Sequence, residues 1–389
     1  MLCILFFCGK EISKTGKIFS KGGIIAIVAF TLNEGLRYGR GIDYNVYGRN
    51  FDFYENGVVI DKSEFLYGAL IKFLIHIDAS YQVLIVIQSF LFIFSLLYLL
   101  KNYRDIIQYA LPLFALLSLA GFENLIRWFL GIPFIIIGLY FLSKGENTKF
   151  WLFSVISFFF HYGLLPIPII FYIVYRIKKI LFHPIVVISI YLILGFLFDS
   201  GIFLFFTSYL NYLSFIGDFS ETAAGYLNNS EYWLTSGYSG LYQSSFDTKK
   251  NIFLSFTLIS FGYITIKDSK HLNIFAYNLF AIGLILKPIA NKVELLARYD
   301  FVFYFFNAIV CANIIKDLQF KKIIRRIEIR AFIYFIFIVS FSFSFIEPFR
   351  NPNLFLYVWD NDNKSYQEMI MHWREHNTDK SKKSIQRDE

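Results

Sequence analysis

The sequence predicts an all-α protein: a polytopic transmembrane helix bundle of about ten to twelve helices, with one broken or re-entrant hairpin. Three observations predict it. The 389 residues are 56% hydrophobic and 21% aromatic, with a mean hydropathy of +0.52, which is more apolar surface than a soluble domain hides. Apolar runs at residues 106–120, 125–142 and 184–206 approach or reach the roughly 20 residues that cross about 30 Å of hydrocarbon. The runs are continuous, whereas a β-barrel shows short alternating segments, and a single chain segment in hydrocarbon satisfies its own backbone as a helix.

Basic residues set the path, because positively charged turns stay on the cytoplasmic side. Residues 1–9 are too short for a span and lack the small-residue cleavage site of a signal peptide. Lys10, Lys14, Lys17 and Lys21 then precede a first outward span at 22–36. An outer loop follows at 37–80. Within it, residues 64–77 carry Lys72 and His76 and are short, which suits a helix lying in the interface. Residues 81–100 return to Lys101 and Arg104. Residues 106–120 leave and 125–142 come back to Lys144 and Lys149.

Residues 150–175 must leave and return before Arg176, Lys178 and Lys179, and Pro166 and Pro168 interrupt them, so the broken hairpin is expected there. Residues 184–206 lead out to a second outer loop, 207–250. Residues 251–266 return to Lys267 and Lys270, 273–286 leave, and 295–315 return to the basic stretch 316–330. A last span, 331–346, ends the integral domain at about residue 350, and 351–389 form a polar tail. The formal net charge of +8 is explained by these turns and an anionic ligand, and no nucleic-acid partner is expected. Cys3, Cys8 and Cys311 make no disulfide framework.

On this path the polar residues gather on one side. The stretch GLRYGRGIDYNVYGRNF, residues 35–51, packs three arginines and an aspartate after a greasy span. Glu123 and Arg127 lie at a turn between spans, His161 lies near the hairpin apex, and NKVELLARYDF brings Glu294, Arg298 and Asp300 to an outer helix end. Ionisable groups near membrane depth usually face a protein interior or a wet cavity. Arginine's planar fork suits phosphate oxygens and does not lose its proton.

Each residue also has a plainer role. Arg37 at a helix end fits a snorkelling side chain. Arg40 and Asp43 fit a local pair, Glu123 and Arg127 an i,i+4 pair, and His161 a packed histidine. Tyr38, Tyr44, Tyr47 and Tyr54 suit either an interfacial belt or stacking on sugars, as do Tyr209, Tyr226 and Trp233 in the loop at 207–250. WDND, residues 359–362, imitates a metal-binding Asp-x-Asp but lies in the polar tail. No His/Cys set has metal-ligand spacing, no glycine loop cradles phosphate, and no nucleophile elbow is present. Neither a metal nor a cofactor is expected.

The ordered blocks GLRYGRGIDYNVYGRNF, SEFLYGALIKFL, ENLIRWFLGIPFIIIGLYFL, KFWLFSVISFFFHYGLLPIPIIFY and LLARYDFVFYF resemble the EpsG family of Wzy-type polysaccharide polymerases. Arg37, Gly41, Asp43 and Tyr47 match its loop motif, Arg127 its span-opening arginine, His161 its histidine and Arg298 its late arginine. Ile42, the short start and the long tail depart from the family pattern. The resemblance implies a multi-pass protein of the bacterial inner membrane, acting on its periplasmic or exterior face. Such a protein polymerises glycan repeat units carried on undecaprenyl pyrophosphate, as a lipid-linked glycosyltransferase for O-antigen, capsule or exopolysaccharide. The partners implied are that lipid-linked glycan, membrane lipids, and a chain-length regulator and flippase.

A pyrophosphate leaving group needs its growing charge neutralised, and the attacking sugar hydroxyl needs a base. The catalytic candidates are Asp43, His161, Arg127 and Arg298, with Asp43 and His161 both open as the base. The substrate-binding candidates are Arg37, Arg40, Tyr44, Tyr47, Glu64 and Tyr299. Two alternatives stand beside this reading. A flippase or transporter of the same glycans would string charges through the membrane. A glycan acyltransferase would lean on an early histidine, for which His76 is the nearby candidate.

Overall fold

Helix ends in this chain are written plainly in its small and polar residues. A computed structural model describes residues 1–40, 44–57, 64–199, 245–290, 294–320 and 323–350. The described residues form fifteen α-helices and two short 3-10 turns. Helix α1, Leu2–Thr15, stops at Gly16, whose φ of 69° is the left-handed conformation glycine adopts freely. Helix α2, Lys21–Gly35, starts at Ser20, which accepts from the Gly23 N–H. Glu11 reaches across from α1, where its Oε2 accepts from Ser20 Oγ at 2.5 Å and Gly22 N at 3.0 Å. A carboxylate at a helix N-terminus is favourable. Residues 1–9 thus belong to a longer helix, and Leu5, Cys8 and Ile12 bury its inner face.

The expected outer loop at 37–80 is itself helical: α3 spans Tyr44–Glu55 and α4 spans Phe65–His76. Helix α5, Tyr81–Leu100, is followed by α6, Ile107–Asn124, and α7, Ile126–Ser143. The single residue Leu125 (φ −96°, ψ 63°) separates α6 from α7. Helices α8, Asn147–Phe160, and α9, Pro166–Arg176, form the expected broken hairpin. The break sits at His161, which is extended (φ −159°, ψ 115°), and not at the prolines. Pro166 opens α9, where a missing N–H does no harm.

Helix α10 is Pro184–Asp199 and α11 is Ser245–Ile266, so the helix begins inside the loop expected at 207–250. Residues 207–244 of that loop, and the tail at 351–389 with WDND, lie outside the described residues. Helix α12, His271–Ala290, leads to α13, Glu294–Tyr304, and α14, Asn307–Phe320; the span expected as one piece is two helices. Helix α15, Ile327–Arg350, closes the described chain.

Among the described residues, four helical stretches are long and apolar enough to cross a membrane: Tyr81–Tyr103, Ile126–Ser143, His271–Ala290 and Leu296–Phe320. Large apolar side chains such as Ile24, Val28, Ile185, Phe196 and Phe335 point outward, as lipid-facing residues do. Inside, an aromatic core joins Phe92, Phe122 and Phe129, with Phe92 centroids 5.2 Å from both, and Phe114 lies 4.4 Å from Phe305.

The basic turns meet at one end of the bundle. Asn102 donates to Ser143 Oγ at 2.8 Å, the Tyr103 hydroxyl to the Leu272 carbonyl at 2.8 Å, and Lys316 pairs with Asp105. Asn278 accepts from Leu181 N and donates to the Lys179 carbonyl, both at 3.0 Å. The opposite end gathers the C-terminal ends of α2, α6, α8 and α12 and the N-terminal ends of α5, α7, α9 and α13.

Lipid gives helices no hydrophobic reason to associate, so close backbone approach at small residues matters more. Gly283 is one such place, since a Cβ there would lie 2.7 Å from the Tyr304 nitrogen. Gly283→Ala is expected to destabilise the detergent-solubilised protein by about 1–3 kcal/mol. Gly68→Ala, with no atom within 4 Å of the added Cβ, is expected to leave its melting temperature unchanged or slightly raised.

Candidate functional site

Two polar clusters occupy the end opposite the basic turns. The first is buried and is built where α2 ends. Arg37 has 0% of its surface exposed, so it does not snorkel. Its Nη2 donates to Gln88 Oε1 at 3.0 Å and to the Phe122 carbonyl at 3.5 Å, while Nη1 donates to the Glu34 carbonyl at 3.3 Å. The guanidinium also lies 4.7 Å from the Phe122 ring centroid. Burial works to lower its pKa, and the Glu34 and Glu123 carboxylates oppose that. Arg40 pairs with Glu34 Oε2 at 3.1 Å and with Glu123 Oε1 at 3.4 Å. Two arginines and two acids from α2, its following turn and α6 thus form one buried network.

The second cluster centres on Glu64, which precedes α4 and does not cap it with its side chain. Its Oε2 accepts from Arg127 Nη1 at 2.8 Å, and its Oε1 lies 2.8 Å from His161 Nδ1. Arg127, the second residue of α7, therefore turns to Glu64, 63 residues away in sequence, and not to the i,i+4 neighbour Glu123 that its plainer reading offered. Arg127 Nε also donates to the Tyr47 hydroxyl at 2.8 Å, and its guanidinium lies 5.3 Å and 5.8 Å from the Tyr47 and Tyr67 ring centroids. The side chains remain 23% exposed at Arg127 and 17% at His161.

The hairpin break makes this cluster possible. Because His161 is extended, its ring leaves the α8 axis and meets both Glu64 and Trp128, whose ring centroid is 5.4 Å away, edge to face. A nitrogen 2.8 Å from a carboxylate oxygen is a donor, so the proton sits on Nδ1. The Gly163 amide at 3.4 Å from the same nitrogen is then a near neighbour and not a hydrogen bond. Among the described residues, the polar contacts of the His161 ring nitrogens fall on Nδ1, which leaves Nε2 facing away from Glu64.

Trp128 also meets Tyr299 at 5.3 Å, and the Tyr299 hydroxyl donates to the Gly163 carbonyl at 2.7 Å. Helix α13 is thereby docked against the hairpin apex, with Arg298 half-buried one residue before the contact. The Trp128 indole N–H and the Tyr67 hydroxyl are buried beside this cluster without a hydrogen-bond partner among the described residues. Buried polar groups are normally satisfied.

The candidates thus fall into groups. Tyr47, Glu64, Arg127 and His161 meet directly, and Tyr299 joins them through Trp128. Arg37 and Arg40 belong to the buried network. Tyr44 is buried on α3, where its hydroxyl donates to Gln82 Oε1 at 2.8 Å. Asp43 lies outside the described residues, as does the backbone just before Glu294. No motif in the sequence marks Glu34, Gln88 and Trp128, which join these groups, or Lys287. Lys287 Nζ lies 3.9 Å from Asp300 Oδ2 and 4.1 Å from the Tyr304 ring centroid. A lysine and a buried acid on neighbouring apolar helices was the available signal.

The EpsG family model matches residues 23–359. No curated protein and no solved structure matches the chain.

Removing one partner of a buried charged network strands the rest. Arg37→Met leaves Gln88 Oε1 and the Glu34 carbonyl without the arginine donor, while the Phe122 carbonyl keeps only Gln88 Nε2 at 3.0 Å, and is expected to destabilise the protein by about 3–5 kcal/mol, read as a lower melting temperature and reduced membrane yield. Arg37→Lys should recover only part of this, because one ammonium does not reproduce the planar fork.

Proposed function

We propose that this chain, which belongs to the EpsG family, polymerises undecaprenyl-pyrophosphate-linked oligosaccharide repeat units on the outer face of the bacterial inner membrane. Family membership supports a polysaccharide-polymerase role of the glycosyltransferase kind, and the apolar helices support an integral membrane protein. The observation that carries the finer reading is the Glu64 carboxylate, which holds an arginine and a histidine side by side, both partly exposed, at one end of the bundle.

In this reading the attacking sugar hydroxyl of one repeat unit approaches the anomeric carbon of another. The new glycosidic C–O bond forms as the C–O bond to pyrophosphate breaks, and the electron pair of the broken bond leaves on the pyrophosphate oxygen. His161 Nε2 takes the hydroxyl proton. Glu64 fixes the tautomer and stabilises the imidazolium that results, as a carboxylate behind a histidine base does. Arg127 and Arg298 neutralise the leaving group, preorganised so that little rearrangement is needed. Arg40 supports them, Arg37 holds the framework beneath, and Tyr47 orients Arg127. The contact with Glu64 supports His161 as the base, and the other candidate, Asp43, lies outside the described residues.

The described charges gather at the two ends of the bundle and do not line a path between them, which supports a polymerase over a transporter. His76, on which an acyltransferase would depend, is exposed at the end of α4.

Arg127→Ala, Arg298→Ala and His161→Ala are each expected to lower polymer formation by roughly 10²–10³-fold. Gels of the cell's polysaccharide should lose long chains and retain single repeat units, while immunoblots show normal membrane levels. Wild-type chain lengths in Arg127→Ala and Arg298→Ala together would remove the mechanism. Glu64→Gln, which keeps the shape of the side chain, should lower kcat more than it raises KM.

A further inference from the structure

Beside the proposed site a cleft of about 500 Å³ opens between α3 and the turn that joins α4 to α5. Its volume lies in the range of roughly 300–1,000 Å³ usual for small-molecule sites. Tyr38, Tyr44, Tyr81 and Gln82 form one part of its lining, and the carboxylates of Asp52, Glu55 and Asp78 stand among the rest. No basic residue is found among its described lining residues.

We propose that this cleft is a saccharide subsite that holds a neutral or amino sugar of the glycan, away from its pyrophosphate. The inference rests on the polymerase reading and adds where the sugar chain goes. Three carboxylates without a described cation repel phosphate, whereas they accept hydrogen bonds from sugar hydroxyls or an ammonium, and charge-assisted bonds are the stronger kind. Tyrosine rings supply flat faces with a polar edge, which suit the C–H faces of a pyranose.

The aromatic wall is held firmly. The Tyr81 hydroxyl donates to the Tyr44 carbonyl at 2.8 Å, and Tyr44 and Tyr81 pack edge to face at 5.2 Å. Gln82 Nε2 donates to the carbonyls of Gly35 and Arg37, the latter at 3.2 Å. The wall is therefore tied to the segment that carries Arg37. Asp78 at the rim has a φ of 52°, a left-handed backbone that aspartate tolerates better than most residues. The conformation is kept in place by the Ala79 amide, which donates to the Leu74 carbonyl at 2.9 Å.

Helix α3 links the cleft to the reacting end. Tyr44 and Tyr47 are three residues apart on α3 and so share a face. Tyr44 lines the cleft while Tyr47 accepts from Arg127. One helix thus measures the step from leaving group to sugar. A subsite of this kind grips the growing or incoming glycan while the arginines grip its phosphate.

The test uses the full-length protein in lipid nanodiscs. The first probe is a lipid-free oligosaccharide prepared by partial hydrolysis of the source cell's own polysaccharide, with binding followed by saturation-transfer NMR and calorimetry. Asp52 and Glu55 are exposed, so the double variant Asp52→Asn/Glu55→Gln should fold as the wild type does; Tyr38→Ala provides an independent wall variant. Each is expected to bind the oligosaccharide roughly tenfold or more weakly. Inorganic pyrophosphate, the second probe, should bind all three proteins equally. In a turnover assay with extracted lipid-linked repeat units, both variants should show a raised KM with little change in kcat. Equal oligosaccharide binding by wild type and both variants, or none by the wild type, overturns the subsite. A wild type that binds the oligosaccharide yet makes no polymer leaves the subsite standing and overturns the polymerase reading.

Discussion

A single carboxylate, that of Glu64, holds the proposed site together. Its two oxygens bind two different partners at 2.8 Å, Arg127 at the start of α7 and His161 at the end of α8. A buried carboxylate left alone would be expensive, and each partner relieves part of that expense. The position of α4 is therefore linked to the hairpin break, and the break is linked to α13 through Trp128 and Tyr299. Loss of the carboxylate would free an arginine, a histidine and the docking of three helices at once. In our proposal that same link sets the proton on His161 and aims Arg127.

The Glu34–Arg37–Arg40–Glu123 network does a different task. Arg37 is fully enclosed, and its donors are directed to protein oxygens. Such a group fixes geometry in place of meeting a ligand. One cluster leaves its arginine partly exposed and the other encloses both of its own. This arrangement lets a membrane protein keep several guanidinium groups near hydrocarbon depth, because each is compensated by acids, carbonyls or aromatic faces.

Much of the fold was legible in the sequence because bilayer physics is severe. Apolar run length and basic turns placed the helix ends, and Tyr103 to Leu272, Asn102 to Ser143 and Lys316 to Asp105 join the turns assigned to one side. The finer features were less legible for identifiable reasons. Proline signalled the hairpin, yet the break fell at His161, because Pro166 is compatible with a first helical turn and the tertiary contact with Glu64 draws the histidine away from the helix. Helix α3 hid inside a nominal loop because residues 44–55 are polar, whereas α4 falls within the interfacial helix expected at 64–77. Local spacing suggested Glu123 for Arg127, whereas the true partner, Glu64, lies on another helix, and single-sequence periodicity carries no information about such pairs. Trp128 and Gln88 read as ordinary apolar-span residues, and their importance comes only from what they touch.

In the proposed polymerase, Glu64, Arg127 and His161 lie on the outward end of the bundle, opposite the basic turns. The direct measurement is labelling of introduced cysteines with a membrane-impermeant maleimide in intact cells, in a background where the exposed Cys3 is serine. Cysteines at Asp52 and Tyr162, on α3 and at the hairpin apex, should label from outside, and one at Lys178, between α9 and α10, should label only after lysis. Labelling of Asp52 and Tyr162 from opposite sides, or of Lys178 from outside, would contradict it.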